Sequence, residues 1–377
     1  MRNKTSVILL AAAIVLGGVG WWVASSRDSA TEADFTAKPL FPGLTAKVND
    51  VAGLEIATSK ALFRIERGES ADQWTMPSRE GYPVRADLVR KNILGIAGLE
   101  SIEPRTDKPE HYDLLQVSEP DQYKPADDAA KSDPGPILVR LTDARPEALA
   151  SIIVGKVKSY PVGGKPGQYH VRKPSEARAW LAQGILELPA DPAQWLVKDL
   201  IKVDRARVAR ATVTHPDGEV LTIVRAPAKP DSSGVDFTPD PMPAGLVIKS
   251  QFDVNAVAGA LNWLSFDDVA RADSKDFSKA VTTEIVTLDG MKVTVRSIPA
   301  EDGKKVWVTL AATFDPALAQ PDAEVKPEEA KKQAEEGMAR VDGWAYLINE
   351  STGRDLTRRL NDLIEPPKKE DGDKKEG

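Results

Sequence analysis

Histidine, cysteine and paired carboxylates most often carry catalysis or bind metals, and this chain holds few of them. It has no cysteine, which excludes a thiol nucleophile, a disulfide, a cysteine-ligated zinc and an iron–sulfur cluster. Its three histidines, His111, His170 and His215, are too far apart to form a helical metal-binding pair or the local part of a triad. The sequence therefore predicts no catalytic, cofactor-binding or metal-binding residues.

Carboxylates offer the remaining route to catalysis. Asp127-Asp128 and Asp267-Asp268 are adjacent pairs, and in a strand neighbouring side chains point to opposite faces, so neither could act as a catalytic pair. A glycosidase pair built from distant residues, such as Glu103 and Asp268, stays open as an alternative. We expect these carboxylates to be solvated and the protein not to be an enzyme.

Composition limits the partners and the number of domains. The 377 residues include 50 Lys+Arg and 57 Asp+Glu, which gives a net charge of −7. Nucleic acid is not expected as a partner, because phosphate backbones require a concentrated basic face. A chain of this length predicts two domains at about 100–200 residues each.

An almost wholly apolar stretch, Val7–Ala24, follows the basic residues Arg2 and Lys4. As a helix it would measure about 27 Å, close to the ~30 Å hydrocarbon core of a bilayer. Trp21 and Trp22 suit the membrane interface, and the positive-inside rule places the N-terminus in the cytoplasm. We expect residues 7–24 to anchor the protein in the inner membrane by a single span, with the body in the periplasm. A cleaved secretory signal is the alternative.

The rest of the chain alternates between strand and helix patterns. Runs over 51–58 and 61–67 predict a hairpin, and the spacing of Val89, Ile93 and Ile96 predicts a helix from residue 86 to 99. Further strands are expected over 73–76, 101–105, 137–141, 150–154 and 168–172, and further helices around 177–181 and over 192–201.

The same order of elements starts again near residue 204. A hairpin over 208–214 and 219–225, a strand over 237–239 and a helix containing Val254, Leu261 and Leu264 precede strands at 284–288, 292–296 and 306–310. The order predicts an internal duplication, and two unrelated α+β domains are the alternative. The expected fold is α+β: two tandem copies of a mixed or antiparallel sheet domain with helices on one face, preceded by a single N-terminal transmembrane helix.

These patterns divide the chain into five predicted segments. The expected order is a cytoplasmic tip and anchor over 1–28, a linker over 29–46, two repeats over 47–203 and 204–365, and a disordered tail over 366–377. Inside the second repeat, residues 327–336 predict a solvated helix with Glu328 and Lys332 as an i,i+4 pair.

Tryptophans provide the only candidate binding residues in the body. Trp74, Trp263 and Trp307 fall inside predicted elements, and we expect them in the core. Trp180 and Trp195 fall in short predicted helices beside loops, and these two are the candidate partner contacts.

Four short motifs resemble one known family. Residues 74–77 (WTMP), 152–155 (IIVG), 168–172 (QYHVR) and 195–199 (WLVKD) follow each other in the order typical of the uncharacterised domain-of-unknown-function 4340 family. Its members are known mainly as single-span envelope proteins beside gliding-motility-type ABC transporter components. The resemblance implies an accessory role near a transporter, and it implies no catalytic residues.

The anchor, the repeated body and the missing catalytic pattern lead to one hypothesis. We expect a membrane-anchored extracytoplasmic accessory or interaction protein that binds an envelope partner, such as subunits of an ABC-type transporter. A lipid- or glycan-binding envelope module is the alternative, and an acid-catalysed envelope hydrolase is a third.

Overall fold

The computed structural model of the protein describes residues 36–70, 72–124, 134–145, 147–227, 234–321 and 323–367. The predicted membrane span over 7–24, with Trp21 and Trp22, lies outside these ranges, as does the predicted tail from residue 368 onward. Of the helices inside these ranges, none has the length and apolar character needed to cross a membrane.

The described residues form two compact units. Unit 1 holds the residues up to Met76 together with Val84–Trp195, and unit 2 holds Pro77–Pro83 together with the residues from Leu196 onward. The division after Trp195 lies a few residues before the boundary predicted between 203 and 204.

Unit 1 is built mainly from antiparallel strands. Its helices are α1 (Ala86–Ala97) and α2 (Tyr112–Leu115), with 3-10 turns at Leu44–Asp50, Pro109–His111 and Pro192–Trp195. Its strands are β1 (Lys38–Pro39), β2 (Gly53–Ala57), β3 (Leu62–Arg67), β4 (Trp74–Met76), β6 (Glu100–Pro104), β7 (Ile137–Thr142), β8 (Ala148–Ser159), β9 (Gly167–Arg172) and β10 (Ala179–Gly184); β5 (Tyr82–Pro83) belongs to unit 2.

The strands of unit 1 lie in the order β1-β6-β10-β9-β8-β7-β2-β3-β4. Alternation sets the buried face, since Leu54 and Ile56 of β2 pair with Leu141 and Val139 of β7 and all four are buried. On β8, however, the neighbours Ile152 and Ile153 are both buried although they point to opposite faces.

The second face of unit 1 is covered by the segment that contains α2. Tyr112 and Val117 pack with Ile153 and Ala179 in one buried cluster. This segment packs on β8 and β10, the strands of Ile153 and Ala179.

Unit 2 has the same mixture of elements. Its helices are α3 (Gln251–Gly259), α4 (Pro327–Val341), α5 (Glu350–Leu356) and α6 (Leu360–Leu363), with 3-10 turns at Pro77–Arg79, Arg205–Arg207, Ala272–Ser274 and Pro316–Leu318. Its strands besides β5 are β11 (Val208–Thr214), β12 (Val220–Arg225), β13 (Phe237–Pro239), β14 (Val247–Ile248), β15 (Asp268–Arg271), β16 (Val281–Thr287), β17 (Met291–Pro299), β18 (Val306–Phe314), β19 (Trp344–Ile348) and β20 (Ile364–Glu365).

The large sheet of unit 2 repeats the strand order of unit 1. It runs β15-β19-β18-β17-β16-β11-β12-β13, and the part of the unit 1 sheet from β6 to β4 runs β6-β10-β9-β8-β7-β2-β3-β4. Strand for strand, β16, β17 and β18 therefore hold the places of β7, β8 and β9. Both units combine a mostly antiparallel sheet with helices, which confirms the expected α+β class.

Three predicted elements are corrected by the structure. Residues 177–181 were expected in a helix, but the chain here enters β10 at Ala179, and β10 pairs antiparallel with β9. The helix expected over 192–201 is only the 3-10 turn Pro192–Trp195. The linker expected over 29–46 is folded from Lys38 onward, because β1 pairs with β6 and Leu44 is buried.

The charged helix α4 is also less solvated than expected. Ala330, Ala334 and Val341 are buried on one of its faces, and the helix packs against β18. Its i,i+4 ion pairs join Lys331 to Glu335 and Lys332 to Glu336, rather than Glu328 to Lys332 as predicted.

Candidate functional site: two equivalent clefts

Each unit has a cleft at the same end of its sheet. The unit 1 cleft, of about 650 Å³, lies along the second half of β8. Its lining is mostly apolar, with Val154, Tyr160 and Leu186 among its residues, and it also includes the polar residues Gln116, Lys156, Glu187 and Gln194. The unit 2 cleft, of about 500 Å³, lies at the end of β17 and is lined by Ser297, Lys304, Lys305, Glu350, Arg354 and Arg359, among others.

Strand register shows that the two clefts occupy equivalent places. Ile137, the first residue of β7, pairs with Val154 of β8. Val281, the first residue of β16, pairs with Ser297 of β17. Since β16 and β17 hold the places of β7 and β8, Val154 and Ser297 are counterparts, one in each cleft.

One side of the unit 1 cleft is the hairpin between β8 and β9. Val162 and Lys165 form an isolated bridge, and Gly163 and Gly164 between them both have positive φ, which favours glycine. Tyr160 is 74% exposed and Val162 is 73% exposed. The hairpin therefore presents two large apolar side chains to solvent beside the cleft.

A second side of the unit 1 cleft depends on Gly155. A Cβ atom at this residue would lie 2.3 Å from the carbonyl oxygen of Leu115 and 2.4 Å from that of Gln116. Only glycine allows the 115–116 backbone to lie this close to β8. Gln116 has the left-handed conformation (φ 56°, ψ 41°), which is uncommon for a non-glycine residue, and it lines the cleft.

Arg172 holds this 115–116 segment in place. Its buried side chain donates from Nε to the carbonyl oxygen of Val117 at 2.9 Å and from Nη2 to Glu119 at 3.0 Å. Its guanidinium also lies over the ring of Tyr112, 4.5 Å from the centroid. The hydrogen bonds that compensate the buried guanidinium therefore also hold in place the segment that carries Gln116.

The wall at residues 186–189 is fixed from two directions. The hydroxyl of Tyr169 accepts from the backbone N–H of Leu186 and donates to its carbonyl oxygen, both at 3.3 Å, and burial raises the pKa of this tyrosine. Asn92 of α1, which is fully buried, accepts from the N–H of Glu187 at 3.0 Å and donates to its carbonyl oxygen at 2.6 Å. Hydrogen bonds from two separate elements therefore hold this wall in place.

Trp195 was predicted as a partner contact, but the structure buries it behind this wall. The indole is 0% exposed, donates from Nε1 to the carbonyl oxygen of Pro189 at 2.9 Å, and packs edge-on against Phe63. The 3-10 turn directs the side chain inward, so it cannot reach a partner. Trp180, the other candidate contact, is half-buried on β10 opposite Val171 and is not in the cleft lining.

The hairpin of unit 2 places two lysines at its cleft. The carboxylate of Asp302 accepts from the backbone N–H groups of Lys304 and Lys305, both at 2.9 Å, and Gly303 has a positive φ. The side chain of Lys305 is ion-paired with Asp267 at 2.9 Å, and this bond raises its pKa.

Arg359 borders the unit 2 cleft on another side and is neutralised by two acids. It bonds Asp217 at 2.7 Å and also Glu219, in the turn region between β11 and β12. Its bond to Asp217 lowers the pKa of that carboxyl. Among the described residues, neither Lys304 nor Arg354 forms an ion pair, so these two cations remain available at the cleft.

Ser297 lies at the inner side of the unit 2 cleft. Its side chain is 2% exposed, and its hydroxyl has no hydrogen-bond partner within the ranges that the structure describes. A buried hydroxyl without a partner is uncommon and costs free energy.

The residues considered for catalysis are not brought together. His170 Nδ1 lies 3.0 Å from the carbonyl oxygen of Lys156, and burial lowers the pKa of this histidine. His215 Nε2 lies 3.2 Å from the carbonyl oxygen of Arg358, so both rings contact backbone oxygens. Across the described ranges, no group of three or more histidine or carboxylate side chains is placed to hold a metal ion.

Two exposed aromatic residues of unit 2 were missed by the sequence reasoning. Trp263 was expected in the core but is 85% exposed, and Phe252 of α3 is 80% exposed. Phe252 lies two positions before the buried Val254, off the apolar stripe of α3, and Trp263 lies two positions after the buried Leu261, in the turn that follows α3. That offset was the signal that could have identified them.

Comparison with known proteins gives one match. A family model described as a domain of unknown function (DUF4340) matches residues 74–283, which is more than half of the chain. The match includes the residues of unit 1 that line and support its cleft, except those that precede Trp74. No curated protein and no solved structure matches the chain significantly.

Proposed function

The chain belongs to the DUF4340 family of domains of unknown function, and from its unit 1 cleft we propose that it is a membrane-anchored interaction protein of the cell envelope. In this proposal residues 7–24 span the inner membrane, with Trp21 and Trp22 at the interface, and the body lies in the periplasm. The partner is an envelope protein, such as a subunit of an ABC-type transporter, in line with the resemblance drawn from the sequence motifs. The shared strand order supports tandem copies as the origin of the two units.

The observation that carries the proposal is the cleft of unit 1, whose lining is mostly apolar and whose walls are held by hydrogen bonds. Gly155, Tyr169, Arg172 and Trp195 all belong to the motifs of the family resemblance, and each one supports a wall of this cleft. A preformed apolar cleft binds with a smaller entropy loss than a mobile one.

The exposed side chains beside the cleft suit a protein partner. Tyr160 and Val162 are presented on a tight hairpin, and exposed tyrosine is enriched at the energetic centres of protein interfaces. Catalysis has no part in the proposal. Glu103 and Asp268, the carboxylates considered for a hydrolase, are ion-paired with Arg105 and Arg79 at 2.7 and 2.5 Å.

Affinity purification from detergent-solubilised membranes tests the proposal. The full-length protein should recover transporter subunits, and Tyr160→Ser should lose them. Leu62→Ser is the matched control, because Leu62 is 71% exposed but is not in the cleft lining. Recovery of the protein alone, or equal loss with both variants, would contradict the proposal.

A lipid- or glycan-binding module is the second candidate, and the size of the unit 1 cleft favours it. The volume of about 650 Å³ falls within the range typical of small-molecule pockets. Native mass spectrometry of the full chain would separate the two. A lipid or sugar that stays bound to the wild type and is lost with Tyr160→Ser would favour this candidate.

A further inference from the structure

The unit 2 cleft differs from the unit 1 cleft in charge, and we propose that it is a binding site for a phosphate-bearing anion. This proposal is independent of the partner proposed for unit 1. It rests on the cations at the cleft, on one buried hydroxyl and on the size of the cleft.

The charged side chains that line the cleft are mostly basic. Four basic side chains line it, those of Lys304, Lys305, Arg354 and Arg359, against the single carboxylate of Glu350. Lys305 and Arg359 are already held by acids outside the lining, namely Asp267 for the lysine and Asp217 with Glu219 for the arginine.

Lys304 and Arg354 are the two cations that an anion would meet. Within the described part of the chain neither has an ion-pair partner, and their acidic neighbours Asp302 and Asp355 bond other groups: Asp302 accepts from backbone N–H groups, and Asp355 lies 3.5 Å from Arg358. The two side chains come from different elements, the β17–β18 hairpin and α5. A tetra-oxygen anion bound between them would receive charged donors from both sides of the cleft.

Ser297 provides the second, independent indication of a ligand. Its hydroxyl is buried at the inner side of the cleft and lacks a partner among the described residues, although nine in ten buried polar groups have one. An anion oxygen in the cleft would accept from this hydroxyl and remove the cost of burying it alone. In unit 1 the counterpart is Val154, whose side chain has no polar atom that needs a hydrogen-bond partner.

The size of the cleft fits a phosphate group that belongs to a larger molecule. A volume of about 500 Å³ exceeds what one inorganic phosphate fills. Two sources share this chemistry, a free phosphate or phosphate monoester and the headgroup of an anionic phospholipid. The experiment has one arm for each source.

Isothermal titration calorimetry on the full chain in phosphatidylcholine nanodiscs tests the proposal. One arm titrates inorganic phosphate, and the other titrates dihexanoyl phosphatidylglycerol, with dihexanoyl phosphatidylcholine as its control. We expect saturable binding of at least one of the two anions. Arg354→Gln and Lys304→Gln should each weaken it about tenfold, and Ser297→Ala about threefold, which are the losses expected for one charged and one neutral hydrogen bond.

Lys332→Gln is the matched control, since Lys332 lies on α4 and is not in the cleft lining. It should leave the affinity unchanged. Phosphate binding at least as tight as that of the lipid identifies a free anion, whereas tighter lipid binding with the same variant pattern identifies a headgroup. Absence of saturable binding in both arms overturns the proposal, and so does an equal loss with Lys332→Gln. Unchanged affinity in Ser297→Ala would overturn the placement of the anion at the hydroxyl.

Discussion

On β8 of unit 1 the cleft contains Val154, and at the equivalent register position of β17 in unit 2 it contains Ser297. Around Val154 the lining is mostly apolar, with Tyr160, Leu186 and Pro189. Around Ser297 the lining is basic, with Lys304 among its residues. The same sheet order thus opens at the same place in both units and presents a different chemistry there.

This difference separates what topology determines from what side chains determine. In both units the central strand and its hairpin continue past the first residue of the neighbouring strand, since Val154 pairs with Ile137 and Ser297 pairs with Val281, and the cleft lies at this place. The walls then differ because the chain after β10 is held by Tyr169 and Asn92, whereas the chain after β19 continues into α5 with Arg354. The class of ligand that a cleft can bind therefore depends on the side chains of its walls and not on the fold.

Loss of Arg172 should have the largest effect. Arg172→Met leaves the carboxylate of Glu119 and the carbonyl oxygen of Val117 without their donor, and we expect unit 1 to lose about 3 kcal/mol of unfolding free energy. Hydrogen exchange in urea, which reports on each unit separately, measures this. Lys173→Met removes a partly exposed ion pair and should cost under about 1 kcal/mol. Equal losses in units 1 and 2 would show that the clefts are not independent.

Exchange of the two counterpart residues should have the next largest effect. Val154→Ser buries a hydroxyl in an apolar wall and should lower the stability of unit 1 by about 1–3 kcal/mol. Ser297→Ala removes a hydroxyl that has no partner among the described residues and should raise the stability of unit 2 by roughly 1 kcal/mol in phosphate-free buffer. The same urea measurement applies, and a loss of stability in Ser297→Ala would contradict the comparison.

Acid should weaken unit 2 through Asp289. Burial raises the pKa of this carboxyl, but hydrogen bonds from Arg207 at 2.8 Å and Thr287 at 2.7 Å outweigh burial and leave the pKa below its ordinary value. The stabilisation is therefore complete above the unfolded pKa of about 3.9 and is lost as the pH falls through the lower folded value.

The control for this pH dependence is Asp289→Asn, which should make the stability of unit 2 flatter below about pH 4 in a series of urea titrations. Asp289 follows the end of β16 that is opposite to Val281 at the cleft, so anion binding near neutral pH should not change. A pH dependence equal to that of the wild type would remove the role assigned to Asp289.

Tyr160→Ser should have the smallest effect on stability. The side chain is largely exposed, so the unfolding free energy should change by less than about 0.5 kcal/mol while partner recovery is lost. Thermal denaturation checks the stability. A large drop in the melting temperature would mean that the hairpin supports the fold and would weaken the case for a contact surface.

Local patterns predicted the hairpins and the repeated order of strands, because alternation of apolar residues is a property of adjacent positions. The strand β10 was predicted as a helix because its short run, Ala179–Gly184, is recognisable only through pairing with β9. The burial of Trp195 depends on Phe63, which is remote in sequence, so no local signal carries it. The clefts were not predicted, because their linings come from several separate segments.

Photo-crosslinking in intact cells tests the central claim most directly. A photoreactive amino acid placed at Tyr160 reports on the unit 1 cleft, and one placed at Lys304 reports on the unit 2 cleft. The account predicts a crosslink from position 160 to a subunit of an ABC-type transporter and none to that subunit from position 304. The same crosslink from both positions, or none from position 160, would contradict it.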